Sequence, residues 1–148
     1  MKVSKEVTFD CSHMLSGHDG LCQNLHGHTY KVVVSVSGTQ LTEGSSKNMV
    51  IDFKHLKRAI TTVITERFDH GIIFSDYAYR NVAECALYTW ALQYNMKYFV
   101  MPERSTAEDM AKFFKDEIFK YLTEELNLQN ITDVEVRVYE TPTSYAEV

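Results

Sequence analysis

Apolar and polar residues alternate from the first positions of the chain. Val3, Val7, Phe9 and Cys11 take odd positions with Ser4, Glu6, Thr8 and Asp10 between them, a period of two that predicts a strand over residues 3–13. The same period recurs from His26 to Ser37, with Tyr30, Val32, Val34 and Val36 on the even face, and from Asp133 to Glu140, with Val134, Val136 and Val138 inward. Met49–Val50–Ile51 and Tyr98–Phe99–Val100–Met101 read as two shorter strands. Elsewhere the period lengthens. Phe53, Leu56, Ile60, Val63 and Ile64 form a helical stripe behind Asp52, which suits an N-cap. A looser segment holds a helix at about 81–94. The most periodic helix carries Met110, Phe113, Phe114, Ile118, Tyr121, Leu122 and Leu126 behind a Ser105/Glu108 capping-box pattern. Strands, two long helices and strands again describe an α+β fold, an antiparallel sheet with helices on one face.

Composition narrows the class. The chain has 148 residues, which predicts a single domain over 1–148. With 45% hydrophobic and 24% charged residues it has the makeup of a soluble globular protein. No apolar run approaches the roughly 18 residues of a membrane span, and Met1–Lys5 leads into no signal-peptide core. A net charge of −5 argues against a nucleic-acid surface. Three cysteines, Cys11, Cys22 and Cys85, are too few and too scattered for a disulfide framework, so a reduced, cytoplasmic protein is expected. Neither a membrane nor a nucleic acid is an expected partner.

The histidines carry the chemistry. His13 ends the apolar face of the first strand, in phase with Phe9 and Cys11. His26 and His28 open the second strand, and their two-residue spacing puts both on the face of Tyr30 and Val32. If the two strands form an antiparallel hairpin, the three imidazoles meet at one end. Three neutral imidazoles suit a Zn²⁺ with one position left open, the pattern of a catalytic site. A lone histidine in such a place is more often a hydrogen-bonded core residue. The shared phasing is what favours a metal. His18 and His55 fit no such pattern and read as structural.

Other residues are open to two readings. Cys22 lies four residues before His26: beside a bound cation its thiol can serve as base or nucleophile, and without one it is an ordinary loop cysteine. Cys11 and Cys85 read as packing. Asp69–His70 can form a proton shuttle, or can be no more than polar residues at a helix end. Glu140 closes the last strand opposite Val138, where it can pair with a ligand's N–H groups or face solvent.

These residues resemble the 6-pyruvoyl-tetrahydropterin synthase family, most closely its 6-carboxy-tetrahydropterin branch in queuosine and deazapurine biosynthesis, over nearly the whole chain. Phe9-Asp10-Cys11-Ser12-His13 is similar to the family's first zinc-ligand strand, and Cys22-Gln23-Asn24-Leu25-His26-Gly27-His28 to its Cys-x-x-x-His-Gly-His signature. Met49–Phe53, Phe68-Asp69-His70, Ser105–Glu108 and Glu140–Ser144 match further segments. Asn48, Phe74, Ser105 and Asp109 depart from residues usual in the family, and residues 76–101 are longer than in its compact members.

The resemblance implies zinc on His13, His26 and His28, with Cys22 as the proton-transfer thiolate and Asp69 and His70 as a second relay. It implies that Glu140 grips the pterin edge with help from Thr106. It also implies the tunnelling fold (T-fold), in which sheets of several subunits join into a barrel, usually as a dimer of trimers, with the site between chains. The activity implied is a zinc-dependent lyase converting 7,8-dihydroneopterin triphosphate to 6-carboxy-5,6,7,8-tetrahydropterin, acetaldehyde and triphosphate. Two alternatives remain: the pyruvoyl-forming synthase, and a non-catalytic zinc-stabilised module in which Cys22 closes a tetrahedral site.

Overall fold

In a computed structural model, which describes residues Met1–Val148, six strands form one sheet in the order β4-β3-β1-β2-β5-β6. Strand β1 (Lys2–His13) and strand β2 (His26–Gly38) pair antiparallel along their full length. Their register sets His13 against His26, Cys11 against His28 and Phe9 against Tyr30. The alternation dictates this pairing, because a slip of one residue would turn every valine of β2 to the other face.

Beyond β2 the chain forms α1 (Phe53–Ile60), a π-helical turn at Thr61–Thr65, and α2 (Glu66–Phe68). Asp52 caps α1 by accepting the Lys54 N–H at 2.8 Å, as the sequence predicts. Strand β3 (Gly71–Phe74) follows, then α3 (Val82–Gln93), β4 (Tyr98–Val100), α4 (Ala107–Lys120) with a π-helical turn at Tyr121–Glu125, β5 (Ile131–Thr141) and β6 (Ser144–Glu147). The even-numbered residues of β2 and β5 from Tyr30 to Val36 and from Val134 to Val138 are buried against Leu56, Ile60, Ile64, Phe114, Ile118 and Leu122. The opposite face of the sheet is polar, with a Ser4–Ser35 hydroxyl pair and a Lys2–Glu135 ion pair.

Four expectations are corrected. The sheet is mixed, not wholly antiparallel, because β3 runs parallel to β1 and β4 parallel to β3. Met49–Ile51 forms no strand: Val50 and Ile51 are buried, but the backbone bends, with Asn48 at a left-handed φ of 66°. Asparagine tolerates that region better than most residues. The N-cap of α4 is Thr106, whose hydroxyl accepts the Asp109 N–H at 3.3 Å, and not Ser105. Glu140 shares the face of Val138 instead of opposing it, and its carboxylate lies 3.9 Å from His13 Nε2.

Candidate metal centre and surrounding site

The hairpin register delivers the three histidines to one place. Their ligand atoms all lie within 4.8 Å of one another. His13 is 1% exposed, and His26 and His28 are half-buried. His13 Nδ1 lies 2.6 Å from the Ser105 carbonyl oxygen, and His26 Nδ1 lies 2.8 Å from that of Asn24. A carbonyl only accepts, so both Nδ1 atoms carry the proton, and both Nε2 atoms of the neutral rings present lone pairs. Those two Nε2 atoms stand 3.1 Å apart. Two facing lone pairs repel, and a cation placed among them relieves the repulsion. His28 Nε2 points to the same conclusion, being buried with no hydrogen-bond partner. The donor set therefore fits a divalent metal that accepts three nitrogens.

Electrostatics keep the rings ready for a cation. Burial pushes the His13 pKa down to about 4, assisted by repulsion from the other two histidines and opposed by the Ser105 carbonyl. Burial likewise lowers that of His28, against the pull of Glu140. Both rings are neutral near pH 7, the state a metal requires. The Tyr30 hydroxyl lies 3.3 Å from His13 Nε2, and burial raises its pKa far enough to keep it protonated.

Cys22 is half-buried in the loop between β1 and β2 and stands outside the histidine cluster. Its carbonyl accepts the Leu15 N–H at 2.8 Å, which draws the loop closed. Cys11 is a different thiol: it donates to the Gly71 carbonyl at 3.0 Å, and burial pushes its pKa up to about 12. It belongs to the core, as its phase in β1 predicts.

Asp69 and His70 form a pair, Oδ1 to Nδ1 at 3.0 Å. The Asp69 carboxylate also accepts the Asp10 N–H at 3.0 Å, the main cause of its depressed pKa. His70 has a left-handed φ of 59° and donates its N–H to the Asp10 carbonyl at 2.7 Å. This strained turn throws the imidazole outward, leaving the side chain 79% exposed. His70 borders an open cleft of about 510 Å³ together with Asp10, Ser12, His28 and Lys97.

Within one chain the residues expected at the site fall into two groups. His13, His26, His28 and Glu140 come together, whereas Asp69–His70 is a separate pair whose imidazole shares an open cleft with His28, and Thr106 is occupied as a helix cap. His18 lies exposed in the loop, where its Nδ1 accepts the Gly20 N–H at 2.8 Å. Two contributors escaped sequence reasoning. Ser105 orients His13 through a main-chain carbonyl, which no side-chain pattern can reveal. Tyr30 was legible only as a core residue, although its phase with His28 pointed at the cluster.

The model of the family described as 6-pyruvoyl tetrahydropterin synthase matches residues 2–148. A relative from Haemophilus influenzae named 6-carboxy-5,6,7,8-tetrahydropterin synthase is 44% identical over 148 residues, spanning 99% of this chain and 96% of its own length. A relative of the same name from Aquifex aeolicus is 39% identical over 128 residues, 85% of this chain and 74% of its own. Among solved structures, the 6-pyruvoyl tetrahydropterin synthase of Plasmodium falciparum shares the fold with a TM-score of 0.72 at 22% identity, covering 100% of this chain and 96% of that one.

Proposed function

This chain belongs to the 6-pyruvoyl tetrahydropterin synthase family, and from that premise we propose that it is a 6-carboxy-5,6,7,8-tetrahydropterin synthase. It takes 7,8-dihydroneopterin triphosphate and water to 6-carboxy-5,6,7,8-tetrahydropterin, acetaldehyde and triphosphate, a cytoplasmic step of queuosine biosynthesis. The observation that carries the reading is the convergence of three imidazoles on a common point, with His28 Nε2 buried and unpartnered.

The ion is Zn²⁺, held by His13, His26 and His28. When bound it supplies Lewis acidity toward the oxygens of the substrate side chain, which acidifies the neighbouring C–H bonds. The chain's own residues then divide the proton work. Cys22 takes and returns a proton as thiolate. His70, held in one tautomer by Asp69, moves a second proton at Nε2. Glu140 binds the pterin through ring N–H and amino groups, with Thr106 helping.

The site is completed between subunits. His70 is 79% exposed and no bond ties it to the three histidines of its own chain, and both outer strands, β4 and β6, have a free edge. A dimer of trimers that joins these edges covers them and brings the Asp69–His70 pair of one chain to the metal centre of the next.

The three-residue interval between Cys22 and His26 resembles that of the carboxypterin-forming members, which favours this product over the pyruvoyl one. Mass analysis of the pterin formed from dihydroneopterin triphosphate tests the assignment. The carboxypterin is expected, and a pyruvoyl product would replace it with the neighbouring activity of the family.

A further inference from the structure

Residues 76–101 carry no motif, yet α3 holds an acid that is 0% exposed, Glu84. Its carboxylate is held by hydrogen bonds from two different directions. Oε2 accepts the Ser16 hydroxyl at 2.5 Å, and Oε1 accepts the Ser75 N–H at 2.8 Å. Burying a carboxylate is costly unless donors of this kind compensate it.

The first direction leads to Cys22. Asn81 caps α3 by accepting the Glu84 N–H at 3.0 Å, and in an ordinary capping box Glu84 would reach back to the Asn81 N–H. Here Ser16, from the β1–β2 loop, stands between them: its Oγ accepts the Asn81 N–H at 3.0 Å and donates to Glu84. The return half of the box, from the Asn81 N–H to the Glu84 carboxylate, therefore closes only with the loop in place. Next to Ser16, Leu15 donates its N–H to the Cys22 carbonyl at 2.8 Å.

The second direction leads to the metal centre. The Ser75 hydroxyl accepts the Ser105 N–H at 3.3 Å, and the Ser105 carbonyl accepts Nδ1–H of His13 at 2.6 Å. Every side chain along this route is buried.

The geometry points to Glu84 as a positioning residue that fixes the Cys22 loop through Ser16 and the carbonyl orienting His13 through Ser75 and Ser105. The inference rests on the proposed reading only in taking Cys22 and His13 as parts of the reaction site. Residues that hold metal ligands or catalytic loops in this way typically matter by about 10–100-fold in metal affinity or activity.

Ser16→Ala and Glu84→Ala test it in the metal-loaded protein. The direct readout is the rate at which iodoacetamide alkylates Cys22, followed by peptide mass so that Cys11 and Cys85 are separated. Both variants are expected to unfold cooperatively and to expose Cys22 to alkylation about fivefold faster or more. In both, kcat falls about 10–100-fold while KM stays within about threefold. Zinc is lost more readily to a chelator in Glu84→Ala than in Ser16→Ala, which leaves the Ser75 route intact. A folded Ser16→Ala protein with the wild-type alkylation rate and kcat would overturn the inference, and that variant decides alone if Glu84→Ala does not fold. If the wild type fails to turn over dihydroneopterin triphosphate, the proposed reaction falls, while alkylation and chelator competition still judge Glu84.

Discussion

In the proposed site Glu140 is the carboxylate that meets the pterin. It sits on the inner face of β5, 3.9 Å from His13 Nε2 and about one-third exposed, so it reaches the cluster without closing it. A carboxylate accepts two hydrogen bonds from a ring N–H and its exocyclic amine, whereas an amide must turn a donor toward one of them. Glu140→Gln is therefore expected to weaken pterin binding by about tenfold or more, with zinc content and melting temperature unchanged. Titration with a fluorescent pterin checks this, and unchanged affinity would return Glu140 to a strand-end role. A second residue-scale consequence follows from burial of His13. Its pKa falls from 6.5 to about 4 on folding, so between those values the unfolded chain binds a proton that the folded chain refuses. Stability of the metal-free protein must then drop as pH falls through that window, by at most about 1.4 kcal/mol per pH unit from this group. Melting curves from pH 6.5 to 4 should show the decline, and His13→Gln should make it shallower.

Among the elements, β1, β2 and β5 were legible because each is buried on one face, and their valines and aromatics recur at every second position. Strand β3 was not. Gly71-Ile72-Ile73-Phe74 is a short apolar run without alternation, joined in parallel to residues 60 positions earlier in the chain, as in the pairing of His13 with Ile73. The apolar triplet Met49–Ile51 showed the converse: hydrophobicity reported burial correctly but not backbone shape. In the site, the spacing of His26 and His28 and the phase of His13 exposed the histidine cluster that could hold a metal, because strand geometry alone puts them on one face. The carbonyls of Asn24 and Ser105 that fix the ring tautomers are main-chain atoms and leave no trace in side-chain pattern. The start of α4 was misplaced by one residue for a related reason. Ser105 and Thr106 both suit a cap, and the choice falls to Thr106 because Ser105 is consumed by Met14, Ser75 and His13. Thr106→Ala is expected to cost about 1 kcal/mol in denaturant unfolding and Thr106→Ser much less. An alanine variant as stable as the wild type would contradict the cap.

On the scale of the whole molecule, the sheet does two jobs with its two faces. One buries the valine core against α1 and α4. The other is polar, and the sheet ends in two free edges, the strands at which the proposed assembly would join. In the proposed assembly, Asp69–His70 joins a neighbour's metal centre and each site is the product of two chains. Cys22→Ala and His70→Ala should each be inactive alone, and subunits mixed from the two should regain about a quarter of wild-type activity, the share of interfaces at which both intact residues meet. No recovery in reassembled hexamers would put both groups in one chain.

The most direct measurement is acetaldehyde released per dihydroneopterin triphosphate consumed, by the zinc-loaded wild type and by His28→Ala in parallel. His28 is the proposed ligand whose buried Nε2 has no hydrogen-bond partner, so its removal should take the metal and the reaction together while the fold persists. One acetaldehyde per substrate in the wild type and none in the variant is the predicted result. Substrate consumption without acetaldehyde, or undiminished acetaldehyde from His28→Ala, would contradict it.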